Sequence, residues 1–210
     1  MGRPFMPTRD FFTQQAKTRT AEAIRHVEST TSAELVVAVR RQSGRYLHAY
    51  FAVGLVMLMI TLCVILFVDI EFALGAIPFE VLAGFAFGVL LATVVAPLRR
   101  LATLRAERDV RVATAARSCF YDAGVSKTRG RTGLLLYYSA FERKAELVAD
   151  VGLDLTKLPV GWDSPIHAAA ARADFEAMLG AIRELGSPLG SLAPKTDDDA
   201  NELSNEVNVG

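Results

Sequence analysis

The sequence predicts an α/β fold, a small mixed sheet with flanking helices, that is interrupted by a transmembrane helical hairpin. Three observations lead to this prediction. Two long apolar segments lie between residues 47 and 98, Val- and Leu-rich stretches occur before and after them, and amphipathic segments flank those stretches. Lys+Arg and Asp+Glu both total 23, so the net charge favours neither a nucleic-acid partner nor an acidic substrate.

The two apolar segments, 47–68 and 79–98, are each long enough to cross a bilayer. Among Asp, Glu, Lys, Arg and His, the first segment contains only His48, near its start, and the second only Glu80. A helix rises about 1.5 Å per residue, so about 20 apolar residues cross the hydrocarbon core. The alternative is a buried helix pair in a soluble core. We favour the membrane hairpin, 47–98, because the remaining chain is too short to cover such a pair.

Basic residues flank this predicted hairpin on both sides. The connection 69–77 contains Asp69 and Glu71 and neither Lys nor Arg. Since Lys and Arg are enriched in cytoplasmic flanks, we expect both termini to be cytoplasmic and only the small acidic loop to be outside. The flanking arginines are Arg40, Arg41, Arg45, Arg99, Arg100, Arg105 and Arg108.

Gly84 and Gly88 form a GxxxG pattern in the second apolar segment. Small residues at this spacing allow two helices to approach closely. The pattern predicts packing against the first apolar segment, which we favour, or against a second copy of the chain.

The rest of the chain is predicted to form one domain, which the hairpin divides into two sequence segments. A strand at 34–40 would be unstable alone, so we expect it to pair with strands that follow the hairpin. Residues 1–46 and 99–195 therefore form one cytoplasmic domain, and 196–210 form an acidic tail. The predicted elements are a helix at 10–28, a strand at 34–40, a helix at 99–121, strands at 133–140 and 145–149, and a helix at 166–185.

Three carboxylates near the ends of the later strands, Glu142, Asp150 and Asp154, are the candidate metal ligands. Oxygen ligands suit Ca²⁺ and Mg²⁺. The alternative is that Glu142 pairs with Arg143 or Lys144 in a polar turn and that Asp150 caps a loop.

Other chemistry has little support in the sequence. It contains no standard nucleophile–base signature, so no catalytic residue is assigned. A basic loop is predicted to meet anionic headgroups or to be solvated. Its residues are Lys127, Arg129 and Arg131.

Five segments outside the hairpin form an ordered pattern. They are Val27-Glu28 with Ser32-Ala-Glu-Leu-Val-Val, Thr128-Arg-Gly-Arg-Thr-Gly-Leu-Leu-Leu-Tyr-Tyr-Ser-Ala-Phe-Glu-Arg, Val148-Ala-Asp-Val-Gly-Leu, Trp162, and Asp198-Asp-Ala-Asn-Glu-Leu. In this order and spacing they resemble the TPM domain family, specifically the bacterial branch with a two-helix membrane hairpin after its first strand. Arg111-Val112 stands where that branch often has His, and Ser204 where it favours Pro.

The resemblance implies an α/β sandwich on the cytoplasmic face of a bacterial membrane. Relatives are described as acid phosphatases, calcium binders or accessory factors of membrane complexes. Because the anchored fold lacks a nucleophile–base signature, we expect a membrane-anchored binding or accessory domain. The alternative is a divalent-metal-dependent acid phosphatase that uses calcium or magnesium at Glu142, Asp150 and Asp154. The expected partners are the lipid bilayer and either a second copy or another membrane protein, with no nucleic acid.

Overall fold

The computed structural model describes residues 10–68, 73–196, 202–203 and 207–210. The chain divides into two compact units. The α/β unit comprises Met1–Ser43 and Asp109–Gly210, and the hairpin unit comprises Gly44–Arg108. The hairpin unit is longer at both ends than the predicted hairpin, 47–98. The predicted acidic loop residues Asp69 and Glu71, the run 197–199 of the tail and Ser204 lie outside the described residues.

The α/β unit contains a small mixed sheet, as predicted. Its strands are β1 (Glu34–Arg40), β2 (Gly133–Ser139), β3 (Lys144–Ala149) and β4 (Asn208–Val209), in the spatial order β3-β2-β1-β4. β1 pairs in parallel with β2 and with β4, whereas β2 and β3 are antiparallel. The strand before the apolar helices thus pairs with the first strand after them.

Helices flank this sheet. They are α1 (Gln14–Glu28), α5 (Arg105–Asp122), α6 (Ser164–Arg172), α7 (Phe175–Glu184) and α8 (Gly186–Leu192), and short 3-10 turns occur at Asp10–Phe12, Val125–Lys127 and Leu155–Lys157. The hydroxyl of Thr13 accepts the Ala16 N–H at 3.0 Å, which places the start of α1 after a 3-10 turn rather than at residue 10.

Alternate residues of the central strands enter two separate cores, as expected for strands covered on both faces. On one face Leu35 and Val37 pack with Ile24 of α1, together with residues of α6, α7 and α8. On the other face Val36 and Ala38 pack with apolar residues of α5. The sheet therefore lies between two helical layers.

Two predicted helices are interrupted in the structure. The segment 166–185 divides at Ala173, which adopts a left-handed conformation with φ 55°, and at Asp174, whose side chain accepts the Ala177 N–H at 3.0 Å. The segment 99–121 divides between α4 (Ala96–Leu101) and α5, because residues 102–104 leave the helical conformation. The predicted tail, 196–210, contains β4, which the sequence prediction missed.

The hairpin unit contains α2 (Leu47–Phe67), α3 (Ile77–Val94) and α4. By length and composition, α2 and α3 could each cross a membrane, and the most apolar 18-residue window has a mean hydropathy of 2.7 in α2 and 2.0 in α3. Only 6% of the residues in the most apolar window of α2, and 11% in that of α3, are buried. Few side chains of these helices are therefore buried, and the rest are partly or fully exposed.

Glycines line the contact between α2 and α3. A Cβ added to Gly84 would lie 2.2 Å from the Thr61 hydroxyl oxygen. At Gly88 the added Cβ would lie 2.7 Å from the Met57 Cβ and 2.9 Å from the Gly54 Cα. The GxxxG residues thus face the first apolar helix of the same chain, which is the arrangement that we favoured.

We expect Gly88→Val to destabilise the hairpin unit by about 1–3 kcal/mol, because the new side chain overlaps α2. The thermal unfolding midpoint of the full chain in detergent would fall, whereas Ala86→Val, on an exposed part of the same helix, would change it little. Light scattering would give the same particle mass for both variants as for wild type. A smaller particle for Gly88→Val alone would instead indicate that Gly88 mediates self-association.

Candidate functional site

The β2–β3 turn, residues 139–144, holds the end of β1 in the α/β unit. β1 and β2 pair in register up to Arg40 and Ser139. The ladder then continues into the turn, because the Ala140 N–H donates to the Arg40 carbonyl and the Phe141 N–H to the Arg41 carbonyl, both at 2.9 Å. The position of residues 40–41 is therefore determined by the turn.

Glu142 extends this attachment with its side chain, and the residue is only 6% exposed. One carboxylate oxygen accepts the Ser43 N–H at 3.0 Å. The other accepts a hydrogen bond from the hydroxyl of Ser139, a fully buried residue. Glu142 thus joins the end of β2 to Ser43, the last residue of the α/β unit before the chain enters the hairpin unit.

Tyr137 completes this polar cluster. Its phenol oxygen lies 3.0 Å from the Ser43 hydroxyl oxygen, within hydrogen-bonding distance. Burial raises the pKa of Tyr137, and this effect outweighs the opposing hydrogen bond with Ser43 and the nearby charge of Arg40. The phenol is therefore neutral at physiological pH.

The same turn also holds the point where the chain returns to the α/β unit. Asp109 is the first residue of the unit after the apolar helices. Its carboxylate lies 2.7 Å from the Lys144 ammonium group, in an ion pair whose side chains are 55% and 32% exposed. Such an exposed pair contributes little to stability. Ser43 and Asp109, where the α/β unit connects to the hairpin unit, therefore both contact residues 139–144.

Arg40 and Arg41, two of the predicted membrane-flanking residues, have contacts within the α/β unit. The Arg40 guanidinium donates to the Asn208 carbonyl at 2.8 Å and to the Asn208 side-chain oxygen at 3.0 Å. It also lies 3.7 Å from the Cys119 sulfur. Burial raises the pKa of Cys119, more than the Arg40 charge lowers it, so this thiol is protonated. Arg41 lies 5.5 Å from the centroid of the Phe12 ring.

The remaining flanking arginines belong to the hairpin unit. Arg99 donates to the phenol oxygen of Tyr50 at 2.5 Å, and its guanidinium lies 5.3 Å from the ring centroid. Arg45 is exposed and Arg100 is partly exposed.

A second cluster lies at the opposite end of β2 and β3. The Asp150 side chain, 3% exposed, receives two hydrogen bonds from the Arg131 guanidinium, at 2.8 and 2.9 Å. The Val151 N–H also donates to it at 2.8 Å. Burial alone would raise the pKa of Asp150, but the hydrogen bonds from Arg131 and Val151 outweigh it, so the pKa lies below its ordinary value of 3.8.

Gly152 packs against the backbone of residues 130–131, where a larger residue would not fit. A Cβ added to Gly152 would lie 2.4 Å from the Gly130 carbonyl oxygen and 2.6 Å from that of Arg131. The Gly152 N–H donates to the Arg131 carbonyl at 2.9 Å. Two of the five segments that carry the TPM resemblance, those beginning at Thr128 and at Val148, are therefore packed directly on each other.

The structure does not bring the three candidate metal ligands together. Glu142 lies in the β2–β3 turn, whereas Asp150 follows the far end of β3. The register separates the pair Ser139–Lys144 from the pair Leu134–Ala149 by five residues, or about 17 Å at 3.3–3.4 Å per residue. Calcium ligands lie about 2.3–2.6 Å from their ion, so Glu142 and Asp150 cannot share one.

Asp154 is engaged in a separate local turn. Its carboxylate accepts the Thr156 hydroxyl at 2.6 Å and the Thr156 N–H at 3.2 Å. These hydrogen bonds lower the pKa of Asp154. Across the described part of the chain, no three His, Cys, Asp or Glu side chains are grouped to hold a metal ion.

The predicted basic loop also has contacts within the α/β unit. Arg131 pairs with Asp150, and the Arg129 N–H donates to the Glu202 carboxylate at 2.8 Å. Lys127 is partly exposed. The two arginines of this loop thus contact carboxylates of the α/β unit.

The lowered pKa of Asp150 predicts a dependence of stability on pH. Its folded pKa is below the unfolded one, so the stabilisation is complete above the unfolded pKa and is lost as the pH falls through the folded pKa. We expect the difference in unfolding midpoint between wild type and Asp150→Asn to be constant near pH 7 and to shrink below about pH 4. A difference that grows on acidification would contradict this assignment.

Sequence reasoning missed the partners of the buried carboxylates. The sequence predicts Glu142 as a metal ligand or as a partner of Arg143 or Lys144, and the structure adds hydrogen bonds from Ser139 and Ser43. No local pattern marks Ser43 as its partner. The predicted alternative for Asp150, that it caps a loop, agrees with its bond to the Val151 N–H but did not include Arg131.

The fold defines the protein as a mixed α/β protein with two long apolar helices between the first and second strands. No protein-family model matches the chain, and no curated protein matches it either. The structure is similar to the NMR structure of the BA42 protein from the psychrophilic bacterium Bizionia argentinensis, with a TM-score of 0.55 and 15% sequence identity. The likeness covers 94% of each chain. At this identity it concerns the fold alone.

Proposed function

We propose that the chain is an integral membrane protein in which α2 and α3 span a bacterial cytoplasmic membrane and the α/β unit is a cytoplasmic binding or accessory domain. The observation that carries this proposal is that two apolar helices of membrane-spanning length are hardly buried. In the most apolar window of each helix, only 6% of α2 and 11% of α3 is buried. Water would be a poor solvent for such a surface, whereas the hydrocarbon core of a bilayer would match it.

The distribution of charge supports the orientation. Arginines occur next to both ends of the hairpin unit that connect to the α/β unit, and residues 69–77 contain neither Lys nor Arg. Positive residues are retained on the cytoplasmic side during insertion. The proposed topology therefore has both connections, and the α/β unit with them, in the cytoplasm.

A binding role is favoured over hydrolysis because the buried carboxylates have protein partners. Glu142 receives hydrogen bonds from Ser139 and Ser43, and Asp150 is held by Arg131. These contacts maintain the turn and the loop rather than leaving oxygens directed at a common ion. The resemblance to the TPM domain family, carried by the five segments, is consistent with an accessory role and is part of the proposal.

Membrane extraction would test the anchor. After expression of the full chain in a bacterial host, we expect the protein to stay in the membrane pellet on washing with alkaline carbonate. Met59→Arg, on an exposed part of α2, should weaken this retention, since a central arginine costs about 2.5–3.5 kcal/mol on insertion. Val160→Arg, at an exposed position of the α/β unit, should not. Release of the wild-type protein by carbonate would overturn the proposal.

Cysteine labelling would test the orientation. In a background with Cys63→Ala and Cys119→Ala, Gly75→Cys should react with a membrane-impermeant reagent added to intact cells. Val160→Cys should react only after permeabilisation. The opposite pattern would place the α/β unit outside.

Hydrolysis assays would test the binding role. The purified chain with calcium or magnesium is expected to hydrolyse a phosphate monoester no faster than Asp150→Asn and Asp154→Ala do. Metal-dependent turnover that either substitution abolishes, with the fold retained by circular dichroism, would favour a phosphatase.

A further inference from the structure

The segment 95–108 of the hairpin unit exposes two leucines between arginines. Leu101 ends α4 and is 84% exposed, and Leu104 precedes α5 and is 76% exposed. Arg100 is adjacent to the first leucine and Arg105 to the second. Large apolar side chains at this exposure, next to guanidinium groups, are typical of segments that lie in the interfacial layer of a membrane.

Internal contacts fix the shape of this segment. Thr103, between the two leucines, is 4% exposed, and its hydroxyl donates to the Arg99 carbonyl at 2.7 Å. Arg99 in turn donates to Tyr50 of α2. Leu101 and Leu104 are thus exposed on a corner, residues 95–108, that contacts the first apolar helix through Arg99 and Tyr50.

The charge of this corner is positive. Residues 95–108 contain four arginines and one acidic residue, Glu107. The Glu107 carboxylate lies 3.2 Å from the His48 imidazole nitrogen, so it has a partner in the same unit. Lys and Arg close to a bilayer are attracted by anionic headgroups, and this attraction falls off within a Debye length.

We infer that residues 95–108 form a docking surface for anionic phospholipid, in which Leu101 and Leu104 insert below the headgroups and Arg105 contacts the phosphates. The inference rests on the proposed membrane anchor, and the corner follows α3 directly, at the end next to the flanking arginines. Binding to anionic phospholipid would make the orientation of this corner depend on the lipid composition of the cytoplasmic leaflet.

Site-specific fluorescence in proteoliposomes tests this surface. The full chain, with Cys63→Ala and Cys119→Ala, carries either Leu104→Cys or the control Val151→Cys, which is 82% exposed in wild type in the α/β unit. Each variant is labelled with NBD and reconstituted in phosphatidylcholine with or without phosphatidylglycerol. Quenching by lipids brominated near the headgroup should be at least twofold stronger at position 104 than at 151, and should increase with the anionic fraction.

A charge reversal provides the matched control. Arg105→Glu should remove the dependence of quenching on phosphatidylglycerol, whereas Arg183→Glu, at an exposed position of α7, should retain it. Equal quenching at 104 and 151 in a protein that still resists carbonate overturns this inference alone, as does quenching that is independent of the anionic fraction. Extraction of the wild-type protein by carbonate instead overturns the membrane anchor.

Discussion

Replacing Gly152 with alanine is expected to lower the free energy of unfolding of the α/β unit by about 3 kcal/mol, at the upper end of the range for overpacking. The added Cβ would lie 2.4 and 2.6 Å from two backbone carbonyl oxygens, those of Gly130 and Arg131. A backbone segment cannot rotate away as a flexible side chain can. Relief of the overlap would also move Arg131 from Asp150 and disturb their paired hydrogen bonds.

Chemical denaturation of the full chain in detergent, followed by the fluorescence of Trp162, measures this effect. Gly180→Ala is the matched control, because the residue lies inside α7 and an added Cβ there would meet nothing within 4 Å beyond its chain neighbours and the backbone of its own helix. That substitution should stabilise the protein by about 0.5–1 kcal/mol, since alanine favours helices more than glycine does. Equal stability of Gly152→Ala and wild type would show that the two loops are not packed as described.

Glu142→Ala is the second substitution with a large expected effect, a loss of about 2–4 kcal/mol. It removes the acceptor of the fully buried Ser139 hydroxyl, and an unsatisfied buried donor costs about 1–3 kcal/mol. It also removes the acceptor of the Ser43 N–H, which costs less because Ser43 is half-buried and water can replace the bond. Glu142→Gln should lie between alanine and wild type, because its single carbonyl oxygen replaces two carboxylate oxygens. Glu184→Ala, at an exposed position of α7, should change stability little.

Limited trypsin digestion provides a local measurement for the same variant. Ser43 follows Arg41 and precedes Arg45, so loss of its bond to Glu142 should speed cleavage at these two arginines before the rest of the unit is cut. If Glu142 instead bound a metal, Glu142→Ala would be digested at the wild-type rate without metal. Calcium would then protect the wild type but not the variant. Unchanged cleavage rates at Arg41 and Arg45 would contradict the attachment described for Glu142.

Much of the fold could be predicted because its signals are local and repeated. The strand 34–40 follows from seven residues rich in valine, and the apolar helices follow from length and composition. The break at Ala173 could not be predicted, because alanine rarely adopts a positive φ and no glycine or proline marks the position. β4 was missed because two residues of a polar segment become a strand only through pairing with Ala38 and Val39.

The candidate site was harder to predict because its contacts are distant in sequence. Glu142 and Ser43 are separated by 99 positions, and a carboxylate in a polar turn gives no local sign that it will be buried. Asp150 and Arg131 are 19 positions apart, in segments that are joined by backbone hydrogen bonds. The sequence predicts which carboxylates lie at the ends of the strands. It does not predict their partners, because these depend on how β2 and β3 pair.

The parallel register of β1 and β2 has a consequence for synthesis of the chain. During translation β1 leaves the ribosome first, and residues 41–132 must follow before its partner β2 is made. Throughout that interval the Val-rich strand has neither β2 nor α5 to cover it, and nascent apolar strands of this kind aggregate readily. In the proposed topology the hairpin enters the membrane as it emerges, and the short connection 41–43 keeps β1 tethered to it until β2 is made. The hairpin would then limit diffusion of the unpaired strand during synthesis.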